Sequence, residues 1–180
     1  FSNCRTSCLN SPNYMAISLD TLTNHSRRFS ASENLYKSSQ RSRKAFLCHS
    51  HLDAQYVKGF IQLLKEENID VYVDWQDSSM PENTNRETAV KIQQKIKETD
   101  YFFFLATPNS VKSRWCPWEI GYADGVKNYE SIFIIPTQDR NGYYYGNEYL
   151  QLYQKIDRST HGILCFWKPH EQHGKFVSSL

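Results

Sequence analysis

Residues 101–106 read Tyr-Phe-Phe-Phe-Leu-Ala, an apolar run without alternation. A strand with one wet face alternates apolar and polar side chains, so this run is a strand buried on both faces. Such a strand needs helices above and below it, which points to a parallel sheet in an α/β domain. The flanking segments agree. Residues 44–48 (KAFLC), 69–73 (IDVYV), 131–136 (SIFIIP) and 162–167 (GILCFW) read as further short strands. After Asp53, the residues Val57, Phe60, Ile61 and Leu64 recur at helical spacing and form one apolar stripe. Thr84 and Glu87 form a capping box for a second helix reaching about residue 98, with Ala89, Ile92 and Ile96 inward. Residues 115–127 form a third helix and residues 147–156 a short one. The expected architecture is therefore a five-stranded parallel sheet with helices on both faces and right-handed crossovers.

Ligands of such sheets bind beyond the carboxyl ends of the strands, where the strand order reverses. The loops to inspect are 48–53, 74–84, 106–115 and 137–147. A dinucleotide fold would carry Gly-x-Gly-x-x-Gly after its first strand, so that backbone can approach a pyrophosphate. Here that strand ends in His49-Ser50-His51. No P-loop Gly-Lys-Ser/Thr occurs, and Cys48-His49-Ser50 lacks the paired acids of a phospho-receiver. With only 7 glycines in 180 residues, the site must hold its ligand with side chains rather than with a glycine cradle.

The net charge of +2 hides a split. Residues 1–43 carry 6 basic and 2 acidic side chains and 18 Ser, Thr or Asn, a composition that cannot fold alone. They are expected to be a polar basic arm, with residues 1–14 an upstream tail before Met15, and the domain spans 44–180. A docking arm or an organelle transit peptide are the alternatives. Neither a nucleic-acid partner nor a membrane is expected, because the domain itself is mildly acidic and no apolar run approaches the ~20 residues of a span. The 5 scattered cysteines, with no secretory signal, are expected to remain reduced in the cytoplasm. Cys48 and Cys116 read as small buried residues. His49 and His51 find no third ligand, so no metal is expected.

The densest stretch is Ser113-Arg114-Trp115-Cys116-Pro117-Trp118-Glu119. On a helix Trp115 and Glu119 share a face, Ser113 is placed as the N-cap, and Pro117 is tolerated in the first turn. An indole then flanks a carboxylate at the carboxyl edge of the sheet. The plainer reading is a core Trp and a Glu that favours the helix start.

Three segments together resemble the TIR (Toll/interleukin-1 receptor) domain family: FLCHSHLD at 46–53, VYVDWQDSSMP at 71–81, and the Ser113–Glu119 stretch just described. The resemblance covers about residues 44–167 and is nearest to bacterial TIR proteins. It implies a flavodoxin-like three-layer α/β fold. It also implies either of two functions: cleavage of NAD+ at the nicotinamide–ribose bond, or non-catalytic TIR–TIR scaffolding. The enzymatic branch carries a Glu on the third helix, which falls on Glu119 here. His49 and Ser50 are then expected to contact ribose or phosphate, unless they serve only a turn. Asp74, Trp75 and Asp77, with Pro81, fall on the loop that in this family often reaches a neighbouring protomer. Trp115 is expected to stack on substrate. NAD+ enters as substrate and no cofactor is implied. The expected setting is bacterial anti-phage defence, with a separate effector answering the product. A nucleoside deoxyribosyltransferase-like enzyme, sharing fold and carboxylate, is the remaining alternative. Residues 143–145 (YYY) mark an aromatic loop at the same edge.

Overall fold

The structure, a computed structural model, describes residues 8–9, 16–29, 43–65, 67, 69–73 and 85–180. In chain order these form β1 (Cys8–Leu9), β2 (Ile17–Ser18), α1 (Leu19–Ser26), β3 (Arg43–Cys48), α2 (Ala54–Lys65), β4 (Ile69–Tyr72) and α3 (Arg86–Glu98). They continue as β5 (Tyr101–Ala106), α4 (Cys116–Val126), β6 (Ile132–Gln138), β7 (Tyr144–Tyr145), β8 (Gln154–Arg158), β9 (Leu164–Trp167) and β10 (His173–Phe176).

Strands β4, β3, β5, β6 and β8 lie side by side and run parallel. Counted along the chain, their order is 2-1-3-4-5, the flavodoxin-like doubly wound order, and it reverses between β3 and β5. The apolar run of β5 lies at the centre. Phe103 and Leu105 enter the core shared with α1 and α2, whereas Phe102, Phe104 and Ala106 enter the core shared with α3 and α4. The stripe Val57, Phe60, Ile61 and Leu64 packs into the first of these, each residue at most 1% exposed. Ile92 and Ile96 pack into the second.

Two local readings shift. The capping box of α3 is Asn85 and Thr88, one residue later than expected. Asn85 Oδ1 accepts from the Thr88 amide at 3.0 Å, and Thr88 Oγ1 accepts from the Asn85 amide at 3.2 Å. A threonine hydroxyl thus reaches back where Glu was expected.

The fifth parallel strand is also a correction. It is β8, which overlaps the end of the stretch 147–156 expected to be a short helix; within that stretch residues 148–152 form a short 3-10 helix. β9, expected to be that fifth parallel strand, runs antiparallel to β8, and β10 and β1 extend the sheet antiparallel beyond it. β8 reads Gln-Lys-Ile-Asp-Arg, and its buried positions include Gln154 and Asp157. Hydrophobic periodicity misses a strand whose interior side chains are polar. Gln154 is satisfied there by donating to the Glu130 carbonyl at 3.0 Å, and Asp157 by accepting from the Arg158 amide at 2.7 Å.

Cys165 on β9 is disulfide-bonded, contrary to the expectation of five reduced thiols, whereas Cys48 and Cys116 are free. Sequence spacing does not reveal that β1 joins the sheet beside β10. Residues 16–29, within the segment read as an arm, pack on the domain. β2 pairs with the end of β6, Ile17 opposite Thr137, and Leu22 of α1 is fully buried against α2. The two helices cross so closely that a Cβ on Gly59 would collide with the Leu22 carbonyl oxygen. Only glycine fits at this crossing. Among the described residues, no helix is long and apolar enough to cross a membrane.

Candidate active site

The strand order reverses between β3 and β5, the place where doubly wound sheets hold their ligands, and three connections leave the carboxyl ends of the strands there. The first begins at His49, which is buried. Its Nδ1 lies 2.9 Å from the Leu47 carbonyl oxygen; a carbonyl only accepts, so Nδ1 carries the proton. Ser50 follows, half-buried, and its Oγ accepts from the Leu52 amide at 3.4 Å to start the turn His51–Asp53.

Asp53 then joins this connection to the second. It is 1% exposed, and its carboxylate accepts from Thr107 Oγ1 and from Asn109 Nδ2, the latter at 2.7 Å. Thr107 is locked in turn: its amide donates to Ser110 Oγ at 2.8 Å, and its Oγ1 accepts from the Ser110 amide at 3.0 Å. The loop between β5 and α4 is thereby tied to the loop after β3. Sequence reasoning read Asp53 only as a helix opener. The missed signal was the cluster Thr107, Asn109 and Ser110 beyond the adjacent strand, a set of donors with no local partner in view.

α4 starts at Cys116 with Trp115 as its N-cap, later than the expected N-cap Ser113, and Pro117 falls in its first turn as expected. Ser113 Oγ accepts from the amides of Trp115 at 3.1 Å and Cys116 at 3.4 Å, which relieves two free donors at the helix start. The Glu119 amide donates to the Trp115 carbonyl at 2.9 Å, so the two residues stand one turn apart. Glu119 stands in the first turn of α4, as the plainer reading also has it, but it is not solvated. It is 6% exposed and lies beside the thiol of Cys48, which hydrogen-bonds to it. The Cys48 thiol is pushed well above its usual range, first by burial, then by its hydrogen bond with Cys116 and by the negative charge of Glu119. Cys48 precedes His49, so the first connection and the start of α4 share one buried floor. Trp115 packs half-buried on the same core and meets Trp118 edge to face, ring centroids 5.3 Å apart. Trp118 stacks on Tyr122 on the outer side of α4.

The third connection follows β6. Leu150 roots it in the core that holds Cys48 and Cys116. The neighbouring Tyr149 is 41% exposed, and its phenol is raised by burial and by the nearby Cys48 and Cys116. With Val111, Tyr144 and Tyr145, Tyr149 lines a pocket of about 260 Å³. Tyr145 packs on the core and donates to Asp139 at 2.9 Å, whereas Tyr143 points outward. Tyr149 is a site-edge residue that the sequence reading did not single out, although it lies four positions beyond the tyrosine run that was noted.

The structure thus gathers His49, Ser50, Trp115 and Glu119 at one edge. Asp74, Trp75 and Asp77, with Pro81, lie outside the described residues. Among the described residues no three His, Cys, Asp or Glu side chains come together as a metal site. What the edge offers chemically is a buried carboxylate, an indole one turn away and a tyrosine-lined pocket beside it.

Comparison with known proteins adds the following. A family model described as the TIR domain matches residues 45–166. The chain is 32% identical over 132 residues to ThsB' of Bacillus cereus (strain MSX-D12), described as a probable 3' cyclic ADP-D-ribose synthase, covering 71% of this chain and 68% of that one. It is 28% identical over 97 residues to TIR2 of Cytobacillus dafuensis, a protein named for cyclic ADP-D-ribose synthesis, covering 52% of this chain and 25% of that one.

Proposed function

The chain belongs to the TIR domain family, and from that premise we propose that it is an NAD+ nucleosidase that releases nicotinamide and forms a cyclic ADP-ribose-type product or ADP-ribose. The observation that carries this reading is Glu119, buried beside Cys48 at the edge where the strand order reverses, with Trp115 one turn away.

Nicotinamide in NAD+ is a cationic leaving group. When the glycosidic bond breaks, its electron pair goes to the pyridine nitrogen and neutral nicotinamide departs without a proton donor. Positive charge then develops on the ribose. The carboxylate of Glu119 stabilises that charge and holds the ribose hydroxyls. One carboxylate suffices where ordinary glycosidases use two. Burial strengthens its effect, because few waters compete for it. Trp115 stacks on the substrate and keeps water off the reacting carbon. His49 and Ser50 face the ribose or phosphates from the end of β3. Asp74, Trp75 and Asp77 complete the site, from this chain or a neighbouring copy. Capture of the ribose cation by water gives ADP-ribose and a proton; capture by a group of the same molecule gives the cyclic product. The descriptions of the two relatives favour the cyclic outcome. The setting that fits is a bacterium, with self-association through TIR–TIR contacts and a product that acts on a separate anti-phage effector.

The test is to incubate the protein with NAD+ and with nucleosides and to identify products by chromatography and mass. NAD+ should be consumed and nucleosides left intact. Glu119→Gln keeps the shape but removes the charge, and should slow turnover about 100-fold or more. Turnover at the parent rate would refute the role of the carboxylate. A second reading, a scaffold that only self-associates, draws support from the Trp118–Tyr122 stack on the outer side of α4. It expects oligomers that leave NAD+ intact.

A further inference from the structure

We propose that a second cavity, of about 590 Å³, between β6, β8 and the segment that follows β9, binds an adenosine diphosphate group. Its volume lies in the ordinary range for small-molecule sites. Three observations carry the assignment.

The first is backbone strain. Among the described residues, the non-glycine residues at positive φ are Glu148 (59°) and His170 (65°). Both line this cavity, although they are 22 positions apart in the chain. Left-handed backbone is strained at such residues and tends to collect where a ligand is held.

The second is the distribution of charge. Lys155 reaches the cavity from β8, with Nζ 5.6 Å from the centroid of the Trp167 ring, and it is only partly exposed. Lys168 follows Trp167, the cross-strand partner of Lys155, and pairs with Glu130 at 2.8 Å. His170 adds a third basic group. These groups suit a pair of phosphates, which favour lysine as a compact charge. The carboxylates of Glu148 and Glu171 line the same space and are of the kind that accept ribose hydroxyls.

The third is the aromatic wall. Tyr153 lines the cavity with its ring stacked on Tyr129 and its hydroxyl bonded to Asp124, so the ring is held in place. Tyr144 faces the same space. Together they offer a base a flat apolar surface.

Tyr144, Gly146, Glu148 and Leu150 also line the pocket beside Tyr149, so one thin wall separates the two spaces. Choosing adenosine diphosphate, among phosphate-bearing ligands, rests on the NAD+ reading above. The group has two sources: the half of NAD+ remote from the scissile bond, or a free nucleotide.

The experiment titrates ADP into the Glu119→Gln protein by calorimetry. Saturable binding at one site per chain is expected, weakened about tenfold or more by Lys155→Ala and by Lys168→Ala. Lys168 is surface-exposed, so its variant should fold even if the Lys155 variant does not. His170→Gly relieves the positive φ and removes a basic group, and should also weaken ADP while leaving the melting temperature unchanged or raised. No saturable binding, or binding that neither lysine variant alters, would overturn the site. Inhibition of wild-type NAD+ turnover by ADP identifies the source: competitive inhibition supports the dinucleotide half, non-competitive inhibition a separate nucleotide. ADP binding retained in a protein that never consumes NAD+ would sink the enzymatic reading and leave this site standing.

Discussion

Replacing Asp53 by alanine should unfold the site edge before it touches any substrate group. The carboxylate is buried and accepts from Thr107 Oγ1 and Asn109 Nδ2, so removing it deletes two charge-assisted hydrogen bonds. Each contributes about 1.5–3 kcal/mol. Thr107 keeps partial compensation, since its Oγ1 also lies 3.3 Å from Ser110 Oγ. A loss of about 4 kcal/mol is therefore expected, a large share of the 5–15 kcal/mol that stabilises an ordinary domain. For a chain of this size it corresponds to a drop of about 8–16 °C in melting temperature. Asp53→Asn keeps the shape and one acceptor, and should lose about half as much. Thermal unfolding followed by circular dichroism at neutral pH reads both variants. In parallel, kcat/KM for NAD+ should fall in Asp53→Ala at temperatures where the protein is still folded, because the loop leading into α4 is freed. A drop below about 2 °C in Asp53→Ala, with kcat/KM unchanged, would show that this carboxylate does not organise the edge.

Further expectations follow from the same structure. Asp157 is buried on β8, and burial pushes its carboxyl from 3.8 up to about 7. A raised acid keeps its proton in the folded state while the unfolded chain loses it, so stability falls as pH rises from about 4 to 7 and is level below that window. The full effect corresponds to about 4 kcal/mol. Asp157→Asn should therefore raise the melting temperature at pH 8 and change it little at pH 4; equal shifts at both pH values would contradict the assignment. Gly59→Ala would put a methyl against the Leu22 carbonyl, and overpacking of about 1–3 kcal/mol should outweigh the gain in helix propensity of about 1 kcal/mol. Limited proteolysis should then cut near α1 sooner than in the parent, while NAD+ turnover is retained; unchanged cleavage would mean that the two helices do not depend on this contact.

Much of the edge was legible because its determinants are local. Ser113 accepts from the amides that lead into α4, and Trp115 and Glu119 fall one turn apart, since local chain geometry alone sets those relations. The stripe of α2 and the apolar run of β5, buried from Phe102 to Ala106, were readable for the same reason. What escaped the reading depends on partners distant in the chain. Asp53 meets Thr107 across 54 positions, and nothing near Asp53 announces those donors. β8 is a strand because β6 and β9 flank it, against its own polar composition. Tyr149 belongs to the site edge only because Leu150 is anchored among Cys48 and Cys116.

From the residues alone come the class of the fold and the placement of Trp115 and Glu119 one turn apart at the start of α4, because apolar run lengths and helix spacing act over a few residues. The tertiary structure decided the rest: that Glu119 is buried beside Cys48, that Asp53 ties two loops together, that the fifth parallel strand is β8, and that Lys155, Lys168, Glu148 and His170 share one cavity. These are meetings between segments far apart in sequence. Their energies come from desolvation and from hydrogen bonds that exist only once the chain has closed, so no local pattern records them.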